Sequence, residues 1–183
     1  MSAGTHLDQA LAAEAEAYAA LLAGGPAGEP LARARDEYLA SHAETGPSSW
    51  GRLIGALKMA VLAGDGAESI AQQALAETAA AEPSPASAYA RALAQLVLGE
   101  RPEVEPMLAA GDAFERTGRA MAALAMGDRE AYAASLAEIV DDFAAREAHL
   151  SGVAVADTAL VLERLAAQRG LAAGIQSPLL PGV

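Results

Sequence analysis

The chain has no cysteine, which excludes disulfide staples and thiolate chemistry together. Aromatics are scarce as well: four tyrosines, two phenylalanines and one tryptophan among 183 residues. Few large anchors are therefore available to a core. No apolar run reaches the roughly 18 residues that a membrane-crossing helix needs. Residues 152–162 come closest, but Asp157 interrupts them and charges follow at Glu163 and Arg164. The first residues, Met1-Ser-Ala-Gly-Thr-His-Leu-Asp8, lack the basic start and apolar stretch of a signal peptide, so the expected location is the cytoplasm. Strand-like alternation is missing too. Neither the G-x-S-x-G elbow, the G-x-G-x-x-G fingerprint nor the phosphate-binding P-loop string occurs.

What the chain has in quantity is alanine, fifty residues of it. Alanine is the strongest helix former and contributes little bulk, so an all-α fold of closely approaching helices is expected, stapled by Leu, Val and Met. Lysine occurs once against eleven arginines; with this alanine content, that usage points to a GC-rich bacterial genome of actinobacterial type. Acidic residues outnumber basic ones 24 to 12, a net charge of −12. Charge of this sign disfavours nucleic acid and anionic membrane and attracts a cationic protein, although it also serves plain solubility.

Three segments share one grammar: an apolar helix, a glycine, an acidic residue and a new helix. They centre on Gly64-Asp65, Gly99-Glu100 and Gly127-Asp128. Stacked helix pairs are built this way, and such arrays usually hold other proteins. Along the chain the punctuation predicts helices over 6–23, 30–43, 48–63, 65–81, 85–98, 102–110, 112–126, 129–149 and 153–169, the eighth being the longest. Capping boxes are expected at Thr5–Asp8, Asp65–Glu68 and Asp112–Glu115, with Ser84 as a cap before Pro85. The expected architecture is an irregular, tetratricopeptide-like bundle of about nine antiparallel helices. It forms a single domain over 1–183, with an extended tail from about 174 whose leucines fold back.

Reaction-bearing constellations are hard to find. Lys58 lies between Ile54 and Leu62 on an apolar helix; such a lysine either has its pKa lowered for Schiff-base chemistry or, more commonly, snorkels. His6, His42 and His149 fall on separate segments without metal spacing. Glu138 and Asp142, four apart on the eighth helix, share a face that carboxylate–metal chemistry would need, but Asp142 is equally spaced to pair with Arg146. Arg116 and Arg119 are suited to a carboxylate or phosphate, or to acidic neighbours. Trp50 at a helix start reads as a staple before it reads as a partner anchor. No cofactor is implied.

The string Ala120-Met-Ala-Ala-Leu-Ala-Met-Gly-Asp-Arg-Glu-Ala-Tyr-Ala-Ala-Ser-Leu136, then a charged helix, Leu160-Val-Leu-Glu-Arg-Leu-Ala-Ala-Gln-Arg-Gly170 and Ser177-Pro-Leu-Leu-Pro181, resembles the C-terminal half of the immunity protein 49 family. Members of that family are small helical bacterial proteins that neutralise polymorphic toxins. Leu179 stands where the family pattern has a tyrosine. The resemblance covers about a third of the chain and carries over no catalytic residue. It implies a non-catalytic protein that neutralises a toxin by binding it. The net negative charge makes a cationic toxin domain the expected partner, and the acidic residues of the eighth helix and its end, Glu138, Asp141, Asp142 and Glu147, are the expected contact face. A helical-repeat adaptor that binds a peptide is the alternative.

Overall fold

Because alanine has almost no side chain, helices that face one another through it can approach closely, and the few large residues then act as plugs. The computed structural model describes residues 3–181, which form nine helices and no strand. They are α1 (Ala3–Leu22), α2 (Gly28–Thr45), α3 (Trp50–Ala63), α4 (Ala67–Ala79), α5 (Pro85–Val97), α6 (Glu105–Ala110), α7 (Asp112–Met126), α8 (Arg129–Ala144) and α9 (Asp157–Gln168). Helix α3 is apolar on every side and buries ten of its fourteen residues, so it can only sit in the middle. It packs against α2, α4, α5 and α9, while α1–α2, α4–α5 and α7–α8 close as hairpins. One continuous apolar core runs from Ala10 of α1 to Ala166 of α9, plugged by Tyr18, Leu53, Met59, Met107, Met121 and Tyr132. Trp50 is buried against it as a staple.

The glycine–acid corners share one local construction. Gly64 and Gly127 adopt φ of +76° and +72°, the left-handed conformation that a side chain resists. The acidic residue that follows donates its backbone N–H five residues back: Asp65 to Ala60, Glu100 to Gln95 and Asp128 to Ala123. This is the Schellman closure, which satisfies carbonyls that a helix end would otherwise leave free. The next helix starts by different means in each case. Asp128 caps α8 by accepting from the Ala131 N–H at 3.0 Å. Asp65 caps nothing: Gly66 occupies the cap position of α4, and the Asp65 carboxylate accepts from Arg35 of α2 at 3.3 Å.

Two further expected boxes also fail to form. Helix α1 already begins at Ala3, which places Thr5 inside it, and α7 is preceded by Gly111 without a side-chain cap. The cap at Ser84 does form, and Ser87 makes it a full capping box, with Pro85 in the first turn. Helix α6 starts at Glu105 rather than at Pro102, because the Gln95 side chain holds the Glu103 N–H at 2.8 Å and keeps the preceding loop extended. Pro106 then falls in the first turn of α6, where a missing N–H costs nothing.

The largest departure lies between α8 and α9. Helix α8 ends at Ala144, five residues early, and α9 begins at Asp157, four residues late; α1, with 20 residues, is the longest helix described. Packing overrides helix propensity here. Arg146 folds onto the Phe143 ring at 3.6 Å, and His149 stacks beside that ring at 6.2 Å. Val155 and Ala156 enter the core as non-helical chain, and the Ala156 N–H donates to the Leu179 carbonyl at 3.0 Å. That bond brings the tail back, and Leu179 and Leu180 pack on the core.

Candidate functional site

An apolar stripe on α1, Ala10, Ala13, Ala17 and Tyr18, includes one carboxylate, Glu14, which is 5% exposed. Helix phase alone separates it from exposed Glu16 two residues on. The Tyr38 hydroxyl of α2 donates to Glu14. Tyr38 reaches that position across Gly55 of α3, where a Cβ would lie 2.9 Å from the tyrosine ring. Burial pushes the Glu14 carboxyl above the usual range, partly opposed by the Tyr38 hydrogen bond. Burial likewise pushes the Tyr38 phenol up, with Glu14 adding to the shift.

Lys58 of α3 and Asp157, the first residue of α9, complete the buried polar group. The Lys58 ammonium donates to Asp157 at 2.8 Å and to Thr158 at 2.9 Å, and lies 5.6 Å from the centre of the Tyr89 ring. The ammonium is buried and does not snorkel. Burial alone would pull its pKa down, but the facing Asp157 carboxylate more than reverses this, so Lys58 lies above the usual lysine range. A Schiff-base lysine needs the opposite shift.

These groups form the floor of a cavity of about 370 Å³. Ile54, Phe114, Ile139, Phe143 and Val153 wall it, and Arg116, Asp142, Arg146 and Leu150 stand at its mouth. The Tyr18 hydroxyl is buried in the floor. It approaches Glu14 but makes no hydrogen bond of normal geometry to any protein atom. A buried hydroxyl left unpaired costs about 1–3 kcal/mol, so this one is unusual in a folded chain. An apolar cavity with a few convergent polar groups and shifted pKa values has the form of a binding site.

The four residues expected to form a contact face are divided by the fold. Glu138 pairs with Arg119, and Asp142 bridges Arg116 at 2.5 Å and Arg146 at 2.6 Å. Asp141 and Glu147 are exposed, and among the described residues no ion pair engages either. The two carboxylates considered as a metal seat thus each hold an arginine, and the described residues contain no cluster of three His, Asp or Glu placed to grip an ion. The histidines remain apart. His6 meets Glu37, His42 links Ser49 to Glu77 at 2.8 Å each, and His149 sits at the cavity mouth.

Glu14, Tyr18 and Asp157 are the site residues that the sequence reading did not assign. Each left a trace: Glu14 and Tyr18 share the alanine stripe of α1, and Asp157 breaks an apolar run as Lys58 does. What joins Lys58 to Asp157 is a contact across 99 positions. Among the described residues, no helix is long and apolar enough to cross a membrane. No family model, curated protein or solved structure matches the chain.

Proposed function

We propose that this protein is a non-catalytic binder of immunity type, occupying a basic toxin domain through the outer face of α8 and the loop after it. The observation that carries the reading is the placement of Leu150. Single exposed aliphatic residues are ordinary, but this one is 80% exposed at the mouth of an apolar cavity. Its loop is held by the Phe143–His149 stack on one side and the Ala156–Leu179 hydrogen bond on the other. An apolar anchor on a fixed loop loses little entropy when it docks.

Acidic residues flank the anchor. The solvent side of α8 carries Glu130, Glu138 and Asp141, and Glu147 follows in the loop; all four are exposed. With a net charge of −12 behind them, they would steer a basic partner and raise its association rate. The likeness of the C-terminal third to immunity proteins points the same way.

Co-expression with the product of a toxin-like reading frame adjoining its gene tests the reading. The chain should protect growth and form a complex with that product whose association slows steeply with salt. Leu150→Asp should abolish protection, and Asp141→Lys with Glu147→Lys should slow association at least tenfold. Unaltered growth arrest in the presence of the folded chain would overturn the proposal.

A further inference from the structure

The mouth of the cavity carries the opposite charge to the molecule as a whole. Arg116 and Arg146 share one carboxylate, Asp142, and each gives it a single Nη2 hydrogen bond. A guanidinium has five N–H donors, so most of this donor capacity is uncommitted to Asp142. Arg146 is also fixed against the Phe143 ring, 3.6 Å away, which holds its charge at the edge of an apolar wall. One carboxylate between two permanent cations leaves a positive excess among the lining residues at the mouth. On the floor, Lys58 and Asp157 neutralise each other, Glu14 is the remaining carboxyl, and the Tyr18 hydroxyl beside it makes no hydrogen bond of normal geometry.

We infer that this cavity binds a small aromatic carboxylate bearing a hydroxyl or carbonyl at its far end. The carboxylate meets Arg116 and Arg146, because a planar guanidinium matches a carboxylate in both charge and shape. The ring lies among Phe114, Ile139, Phe143 and Val153, which give it an apolar bed. The distal polar group reaches the floor, where the Tyr18 hydroxyl can donate or accept and gains the partner it lacks. A volume of about 370 Å³ lies at the small end of the roughly 300–1,000 Å³ spanned by ligand cavities, which favours one ring over two. A cationic amine is disfavoured at the mouth by both arginines.

The outer acidic stripe of α8 does not enter this site. Ile139, Asp142 and Phe143 line the cavity, whereas Glu138 and Asp141 are exposed to solvent. The acidic stripe and the cavity lining are thus separate surfaces, which meet at Leu150 at the cavity mouth.

Calorimetric titration of the full chain with 4-hydroxyphenylacetate, phenylacetate and 4-hydroxyphenylacetamide tests it. The hydroxylated acid should saturate at one per chain. The amide, which lacks the charge, should bind at least tenfold more weakly, and the acid without its hydroxyl severalfold more weakly. Arg116→Gln with Arg146→Gln, at partly exposed positions, should erase the difference between acid and amide. Tyr18→Phe removes only an unpartnered oxygen and should erase the difference between the two acids while leaving the melting temperature unchanged or raised. Failure of the hydroxylated acid to saturate, or equal binding of acid and amide by the unaltered chain, overturns the inference. So does a full acid–amide difference that persists without the two arginines.

Discussion

Two buried glutamates, each bonded to a buried tyrosine, serve opposite ends in this molecule. Glu163 of α9 is 3% exposed and accepts three hydrogen bonds: from the Tyr132 hydroxyl at 2.9 Å, the Ala173 N–H at 2.9 Å and the Gly174 N–H at 3.0 Å. Glu14 of α1 is nearly as buried, yet it accepts from Tyr38 with no backbone donor reaching it among the described residues, and its pKa is raised by burial. Glu163 gathers donors from α8 and the tail and so locks the C-terminal segment in place. Glu14 stands under-satisfied beside a cavity and an unpaired phenol. Burial therefore does not tell a structural carboxylate from a site carboxylate; the number of donors that reach it does.

Removing the lock should have the largest effect. Glu163→Ala leaves the buried Tyr132 hydroxyl and two solvent-reachable backbone N–H groups without their acceptor, at about 1–3 kcal/mol for the first and less for the others, so a loss of roughly 3 kcal/mol is expected in urea unfolding. Protease cleavage within residues 171–181 should accelerate in parallel, because the tail loses two of its backbone bonds. A loss under about 1 kcal/mol would mean that the tail is held by its leucines alone, and the contrast between the two glutamates would fail.

The next effect belongs to the cavity floor. Lys58→Met keeps most of the apolar volume but strands Asp157, and breaking a fully buried pair costs about 3–5 kcal/mol. The Asp157 side chain is 23% exposed, so water takes part of that burden and about 2 kcal/mol is the expected loss. Lys58→Met combined with Asp157→Asn should recover much of it, since no isolated charge remains. A double variant no more stable than Lys58→Met would show that the ammonium acts through Thr158 and Tyr89 instead of through the ion pair.

Much of the architecture was legible because it is local. A glycine that must adopt positive φ, with an acidic residue behind it, ends a helix by its own backbone chemistry, so the breaks at Gly64, Gly99 and Gly127 could be read directly. The segment from Ala145 to Ala156 could not. Its alanines and charges suit a helix, and what unwinds it comes from elsewhere, including a carbonyl at Leu179. The site was legible only in fragments. Lys58 and Asp157 announce themselves as charges inside apolar stretches, and the alanine stripe around Glu14 marks it as inward-facing. Their convergence depends on α1, α3 and α9 meeting, which no spacing within any one of them encodes. The pairing of Glu138 and Asp142 with arginines of α7 is likewise a product of the α7–α8 hairpin, and it reduces the acidic face to fewer free charges than a helix drawn alone suggests.

The smallest and most diagnostic effect concerns Glu14 itself. A carboxyl whose folded pKa lies above its unfolded value binds more protons in the folded state between those two values. Stability then falls as pH rises through that window. The contribution is fully present below the ordinary glutamate pKa, about 4.3, and is lost as pH climbs through the raised value. Glu14→Gln keeps an acceptor for the Tyr38 hydroxyl but cannot ionise. The variant should therefore match or exceed the parent chain near neutral pH and lose that advantage in acid, so that the difference between their unfolding free energies grows with pH. Taking the difference cancels every titration that the two chains share, leaving Glu14 as its source. The parallel substitution Glu163→Gln replaces one accepting oxygen with an amide donor that faces the Gly174 or Ala173 N–H, so it should destabilise the chain near neutral pH. If Glu14→Gln behaved in the same way, Glu14 would be a second lock, and the cavity beside it would be a packing gap.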